Sequence, residues 1–189
     1  MKTMSFTIMP MLPRILQILS MTVLLASPAY AELTIAPSFT LTDADGQKIT
    51  LPSKLDGVDI YLFWASWCPY CKALMPHLQS IQIEYGDDVR VYALNIRDDE
   101  DPVEFMQNYG YDFVILPEAD PVMGLYGVRP TPALFLVDRQ GVVQFNLYQT
   151  MLDDSNDWES LSNRQKAARR APGWAAEIRR TIDNMLGET

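Results

Sequence analysis

Short runs of hydrophobic residues, separated by polar turns, predict a series of β-strands in the chain after residue 35. The run at 58–64 is apolar except for Asp59, which is typical of a strand buried at the centre of a sheet. Two turns rich in aspartate and glycine, 43–46 and 138–141, join neighbouring strands and predict two β-hairpins. The predicted strands are residues 39–42, 48–51, 58–64, 89–96, 113–116, 133–137 and 142–148.

After residue 68 the hydrophobic positions recur with a helical period, which predicts a helix over residues 69–85. Gly86 supplies its stop, and Pro76 inside it should produce a kink. The apolar face of this helix carries Leu74, Leu78 and Ile81.

Asp101 followed by Pro102 is typical of a second helix start, and Gly110 of its end. A short helix is predicted at 121–126. The alternation of strands and helices, followed by a hairpin and a terminal helix, indicates an α/β sandwich with a mixed central sheet.

The N-terminal segment has the composition of a secretory signal peptide. Lys2 and Arg14 are its only charges before Glu32, residues 15–26 are apolar, and small residues occupy positions 29 and 31. We therefore expect a signal peptide over 1–31, a mature domain over 32–189 and a periplasmic location. An uncleaved inner-membrane anchor facing the periplasm is the alternative, although the apolar stretch is shorter than the roughly 20 residues of a membrane span.

The charge of the chain argues against nucleic acid as a partner. The formal net charge is −9, and loss of Lys2 and Arg14 with the signal peptide would make it −11. A strongly acidic domain does not favour nucleic acid as a general partner.

Cys68 and Cys71 are the only cysteines, and they lie where an apolar strand meets a helix. The partial positive charge of a helix N-terminus stabilises a thiolate at the first position, so the pair indicates an exposed, easily exchanged disulfide. A structural disulfide would gain little from closing so short a loop. A zinc site would need two more cysteine or histidine ligands, and His77 is the only histidine.

The residues around the cysteines resemble the active-site signature of the thioredoxin superfamily. A Thr131-Pro132 pair before the strand at 133–137 resembles that family's second hallmark. The N-terminal hairpin and the helix and strand at 102–116 resemble the TlpA/ResA/DsbE-type exported thiol:disulfide oxidoreductases. The signature residues are Phe63, Trp64, Ala65, Trp67, Cys68, Cys71, Lys72 and Pro76.

This resemblance implies a thioredoxin-like three-layer sandwich in which Cys68 is the nucleophile and Cys71 resolves the mixed disulfide. It also implies that Pro132 is cis and that its loop faces the cysteines. The substrate groove would be formed by Trp67, Pro69, Tyr70, Thr131 and Pro132. The disulfide would be the only redox group, with no metal or other cofactor. The partners would be cysteine-containing client proteins and an upstream membrane or soluble thiol donor, and we expect a monomer.

Two positions depart from the family. Thioredoxin has a buried aspartate where this chain has Leu62, and ResA-like proteins have an acidic residue where it has Leu74. Asp59 lies an odd number of residues from Leu62 and so belongs to the opposite face of the strand. The sequence therefore shows no proton acceptor for the resolving thiol.

The C-terminal tail, 153–189, is the least familiar part. It predicts two helices, 158–171 and 174–186, separated by a break at Pro172 and Gly173. The part that looks like an addition to the family fold is residues 153–171. A solvated basic face is one interpretation, and docking to an acidic partner or an anionic membrane is the other. The basic residues of the tail are Arg164, Lys166, Arg169, Arg170, Arg179 and Arg180.

The favoured function is an exported thiol:disulfide oxidoreductase that acts as a reductase. A disulfide oxidase of the same fold and a thioredoxin-fold binding or chaperone module with a dispensable cysteine pair are the alternatives. A peroxiredoxin is excluded because Tyr61 and Ala65 stand where that class needs proline and threonine or serine.

Overall fold

The computed structural model describes residues 34–53, 56–151 and 158–187. The predicted signal peptide at 1–31 and the first residues of the tail at 153–157 lie outside this range.

A five-stranded mixed sheet forms the centre of the domain, in the order β5-β4-β3-β6-β7. β3, β4 and β5 are parallel, whereas β6 and β7 run antiparallel to their neighbours. β1 and β2 form a separate antiparallel hairpin. The strands are β1 Phe39–Thr42, β2 Lys48–Leu51, β3 Val58–Trp64, β4 Val89–Asn95, β5 Val114–Leu116, β6 Ala133–Val137 and β7 Val143–Asn146.

Every residue of β3 is buried, as predicted for the central strand. Its side chains alternate between two apolar clusters on opposite faces of the sheet. Leu62 and Trp64 belong to the first cluster, and Tyr61 and Phe63 to the second.

The helices cover the first face of the sheet. They are α1 Pro69–Tyr85, α2 Pro102–Tyr109, the single turn α3 Leu147–Thr150 and α4 Asn163–Gly187. The β1–β2 hairpin and a 3₁₀ segment, Asp120–Tyr126, supply the second face. The thioredoxin-like sandwich with an N-terminal hairpin, an inserted helix and strand, and a helical C-terminus is thus confirmed.

Local signals place the starts and ends of α1 and α2 as predicted. The Asp101 side chain accepts hydrogen bonds from the backbone N–H groups of Val103 and Glu104, and Gly110 ends α2 at φ 70°. A residue with a side chain is strained in this left-handed conformation, so glycine suits the position.

Two predictions for the C-terminal third are wrong. The last strand ends at Asn146, because the Asn146 side chain accepts from the N–H of Tyr148 and starts the turn of α3. The expected break at Pro172 and Gly173 is absent, and α4 continues through both. Buried residues at helical spacing on either side of Pro172 hold the helix together and offset the lost hydrogen bond. These residues are Ala167, Ala171, Trp174, Ala175, Ile178 and Ile182.

Within the described residues, no helix combines the length and the apolar character that crossing a membrane requires.

Candidate active site

Cys68 and Cys71 form a disulfide at the start of α1, with their Cα atoms 5.3 Å apart. Cys68 is the N-cap of the helix, and its Sγ accepts a hydrogen bond from the N–H of Cys71 at 3.1 Å. The same N–H and the helix dipole would stabilise a thiolate on Cys68 after reduction. The site therefore favours Cys68 as the attacking sulfur.

The disulfide is buried, so the expectation of an exposed one is wrong. Cys68 is 1% exposed and Cys71 is fully buried. Both pack in the same apolar cluster as Trp64 and Leu74, and this packing removes them from solvent. Trp67, immediately before the pair, is instead 57% exposed.

Asp98 holds the loop that leads from β3 to Cys68. Its carboxylate accepts from the backbone N–H of Ser66 and, at 2.6 Å, from the Ser66 hydroxyl. Asn95 donates to the same carboxylate at 2.9 Å. Partial burial would raise the pKa of Asp98, but the hydrogen bonds from Ser66 and Asn95 outweigh it and lower that pKa.

Arg97 connects the cysteine loop to the loop that contains Pro132. Its backbone carbonyl accepts from Trp67 Nε1 at 2.7 Å. Its guanidinium Nη1 donates to the carbonyl of Arg129 at 2.7 Å. The Tyr148 hydroxyl holds the same loop from the other side, by donating to the carbonyl of Pro130 at 2.6 Å. One residue thus joins the two loops expected to form the walls of the groove.

The strand register brings Pro132 beside the cysteine loop. Ala133 pairs with Phe63 in the antiparallel β6–β3 ladder, so Pro132 lies level with the end of β3. The Thr131–Pro132 peptide bond is cis, as the family resemblance implied. Pro132 is buried and Thr131 half-buried.

No carboxylate is buried beside Cys71 in the described part of the chain. Leu62 and Leu74 are both fully buried in the cluster that contains the cysteines. Asp59 accepts from the Tyr61 hydroxyl at 3.3 Å and lies on the other face of the sheet, as predicted. Burial raises the pKa of Asp59, although hydrogen bonds from Ser53 partly oppose this effect.

Tyr70, between the two cysteines, contacts the C-terminal helix. Its ring lies 6.1 Å from that of Trp174 in α4, measured between centroids. On the other side of α1, the Lys72 ammonium lies 5.6 Å above the ring of Phe105 in α2. The start of α1 is therefore flanked by α2 and by α4.

The sequence did not identify Arg97, Asp98 or Trp174 as residues of the site. A signal for the first two was available, since they follow β4, which is parallel to β3. The carboxyl ends of parallel strands meet at one edge of a sheet, where polar residues after each strand converge. Trp174 carries no comparable signal, because the path of α4 is set by packing along its whole length.

A sequence profile of the AhpC/TSA family matches residues 34–146, which is more than half of the chain. The chain belongs to this family. It is 36% identical over 112 residues to the thiol-disulfide oxidoreductase ResA of Bacillus thuringiensis (strain Al Hakam), a match that covers 57% of this chain and 64% of the relative. It is 32% identical over 127 residues to ResA of Geobacillus thermodenitrificans, covering 65% and 72% respectively. The chain thus covers less than two thirds, 63–64%, of the length of the first curated relatives that it matches.

Solved structures support the same family. A protein from Chlorobium tepidum, provisionally named as the thiol:disulfide interchange protein DsbE, is 29% identical and has a TM-score of 0.55. The match covers 64% of this chain and 94% of that one. The recognition of a thioredoxin-like, ResA-related chain is confirmed.

Proposed function

We propose that this protein exchanges disulfides with client proteins through Cys68 and Cys71, and that it works as a reductase. The observation that carries the proposal is the Cys68–Cys71 disulfide at the N-cap of α1, where Cys71 N–H donates to the Cys68 sulfur. The similarity to proteins named as thiol-disulfide oxidoreductases supports it.

In the reductive direction the Cys68 thiolate attacks one sulfur of a client disulfide, and the other client sulfur leaves as a thiolate. Cys71 then attacks Cys68 of the mixed disulfide and releases the second client sulfur. The client gains two electrons, and the protein is left with the Cys68–Cys71 disulfide. An upstream membrane or soluble thiol donor returns it to the dithiol, and no metal or other cofactor takes part.

The groove for the client is assigned to Trp67, Pro69, Tyr70, Thr131 and Pro132. Trp67 offers an exposed aromatic surface beside Cys68. Backbone groups of the Thr131–Pro132 loop would pair with an extended client segment, as in strand addition. Because no carboxylate is buried beside Cys71 in the described residues, we assign its proton to the departing client thiolate.

Insulin reduction with dithiothreitol as the electron source tests this function. The wild-type protein should accelerate precipitation of the insulin B chain, and Cys68→Ser should abolish the acceleration. Equal rates for the two proteins would contradict the proposal and favour a binding or chaperone module.

Trapping in the native host tests the direction. Cys71→Ala cannot resolve the mixed disulfide, so it should accumulate covalent complexes with client proteins through Cys68. A mostly reduced Cys68–Cys71 pair in wild-type cells supports the reductase, whereas a mostly oxidised pair would indicate the oxidase.

The assignment to the periplasm rests on the composition of residues 1–31. Cell fractionation with N-terminal sequencing should find a periplasmic protein that begins at Glu32. A membrane-bound protein that retains Lys2 would instead support the uncleaved anchor.

A further inference from the structure

α4 runs parallel to α1, with its first half at the disulfide end. Three contacts fix this direction, because the residue numbers in the two helices rise together. They are Tyr70 with Trp174, Glu84 with Arg179 and Tyr85 with Asp183. Trp174 contacts Tyr70, the second residue of α1, so residues 163–173, which precede Trp174, lie at the disulfide end of α4. We call residues 163–173 the basic arm.

The basic arm carries four cations and no acidic residue: Arg164, Lys166, Arg169 and Arg170. Arg169 and Arg170 lie over the ring of Trp158, at 5.9 and 5.5 Å from its centroid. Arg164 is exposed and Lys166 half-buried, and neither forms an ion pair within the described residues.

The cations in the second half of α4, unlike Arg164 and Lys166, form ion pairs. Arg179 pairs with Glu84 at 2.7 Å, and Arg180 pairs with Glu177. Arg164 and Lys166 therefore lie in the half of α4 nearer the disulfide, without an ion-pair partner among the described residues.

The opposite flank of the disulfide is acidic. Lys72 contacts Phe105 of α2, which places α2 and the loop before it on the side of α1 away from α4. Residues 98–109 carry Asp98, Asp99, Glu100, Asp101 and Glu104 and no cation, and Arg97, which precedes them, directs its guanidinium to the carbonyl of Arg129. A client segment at the disulfide would thus have a negative surface on one side and a positive one on the other.

We propose that the basic arm recognises acidic residues next to the cysteines of client proteins, which deepens and rests on the proposed disulfide exchange. A client sulfur can react only when it reaches Cys68, and its neighbouring residues then pass Tyr70 and Trp174 towards the arm. Attraction between the cations of the arm and acidic residues of the client would raise the rate at which the two proteins meet.

An anionic membrane fits the arm less well than an acidic polypeptide. Membrane-surface helices insert an apolar face into the lipid, but the apolar residues of the arm are already buried in the domain. Ala167 is fully buried and Ala171 is 1% exposed.

Three model peptides test the proposal, each with one cysteine joined through a disulfide to thionitrobenzoate. The cysteine is flanked by glutamates, glutamines or lysines. The full-length protein is reduced with dithiothreitol, which is then removed. Attack by Cys68 on the peptide sulfur releases thionitrobenzoate, and Cys71 then releases the peptide thiol. Stopped-flow absorbance gives the rate for each peptide.

We expect the wild-type protein to react about three- to tenfold faster with the glutamate peptide than with the glutamine peptide at low salt, and with the lysine peptide slowest. The ratio of the rate with the glutamate peptide to that with the glutamine peptide should fall towards one in about 0.5 M NaCl, where charges are screened within a few ångströms. Arg164→Gln/Lys166→Gln should lower the glutamate-to-glutamine ratio at least about twofold. The ratio is independent of the folded fraction of the sample.

Lys48→Gln/Arg139→Gln is the matched control. It removes two exposed cations from the β1–β2 hairpin and the β6–β7 turn, away from the disulfide. The glutamate-to-glutamine rate ratio of this control variant should equal that of the wild type.

An unchanged ratio in the arm variant would overturn the proposal for the arm and leave the disulfide exchange intact. Failure of the wild type to exceed Cys68→Ser with any peptide would overturn both. A ratio near one, together with sedimentation of the wild type but not the arm variant on phosphatidylserine vesicles, would replace the acidic client by a membrane surface.

Discussion

At the residue scale, Arg97 and Asp98 hold the cysteine loop through Trp67 and Ser66 rather than through the cysteines themselves. Arg97 has φ 50°, a conformation that is costly for a residue with a side chain. Its N–H donates to Asp120, its carbonyl accepts from Trp67, and its guanidinium reaches Arg129. These contacts stabilise the strained backbone and connect the two loops of the groove.

Arg97→Gly should raise the KM for insulin about threefold or more with a smaller effect on kcat. Glycine accepts the positive φ and keeps the backbone contacts, but it removes the hydrogen bond that restrains the Arg129 carbonyl. Arg97→Lys, which retains a donor, should recover part of the loss. Steady-state kinetics on both variants checks this, and equal KM values for wild type and Arg97→Gly would contradict a positioning role.

Asp98→Asn should reduce the free energy of unfolding at pH 7 by about 1–2 kcal/mol, because the buried Ser66 hydroxyl and N–H lose a charged acceptor. The folded state lowers the pKa of Asp98 from its ordinary value of 3.8. The stabilisation is therefore fully present above that value and lost as the pH falls through the lower pKa of the folded state.

The difference in free energy of unfolding between the wild type and Asp98→Asn should therefore shrink below about pH 4. Urea unfolding at several pH values measures it. Asp99→Asn, an exposed neighbour, is the control and should match the wild type. A pH-independent difference would show that the carboxylate charge is not the cause.

At the element scale, α4 is stable in spite of its own sequence. Pro172 and Gly173 are both exposed, and a Cβ built on Gly173 would meet nothing within 4 Å. Interior proline and glycine destabilise a helix by about 3 and 1 kcal/mol relative to alanine. Packing of the apolar stripe, which spans both sides of the pair, outweighs this cost.

Gly173→Ala should therefore stabilise the protein by about 0.5–1 kcal/mol, and Pro172→Ala by about 1–3 kcal/mol. Thermal unfolding followed by circular dichroism measures both. Gly127→Ala is the contrasting variant and should destabilise, since Gly127 has φ 60°. Lower stability of both α4 variants would mean that the helix is interrupted at Pro172 after all.

Comparison of α4 with β3 and α1 shows where prediction from sequence succeeds and where it fails. β3 and α1 were predicted with the bounds that they have, because a long apolar run and a capped helical period are local signals. Continuity through Pro172 depends on what α4 packs against. The Asp98–Ser66 contact joins residues 32 positions apart and follows only from the parallel pairing of β3 with β4.

At the scale of the whole molecule, the sheet separates two apolar clusters, and the candidate active site lies at one end of the sheet. The cysteine loop, the loop after β4 and the Thr131–Pro132 loop all meet where β3 and β4 end and β6 begins. Since the disulfide lies within the first cluster, its redox state is coupled to the packing of the domain.

The redox potential of the Cys68–Cys71 pair depends on the charge of the residue between the two cysteines. Tyr70 cannot become a cation beside the Cys68 thiolate, unlike histidine, so we expect a potential between those of DsbA and thioredoxin, about −120 and −270 mV. Equilibration with glutathione, followed by thiol labelling, measures it. Tyr70→His should move the potential in the positive direction by about 30 mV, as expected for roughly tenfold stabilisation of the thiolate. Tyr70→Phe is the control, and a value outside the stated span would contradict the argument.

The parallel course of α1 and α4 has a practical consequence for handling the protein. The last turns of α4, around Asn184 and Met185, line one depression with Gly57 and Val58 at the start of β3. The disulfide follows the other end of that seven-residue strand, about 20 Å away. A dye, electrode linker or affinity handle attached after Gly187 would orient every molecule with its disulfide towards the solution.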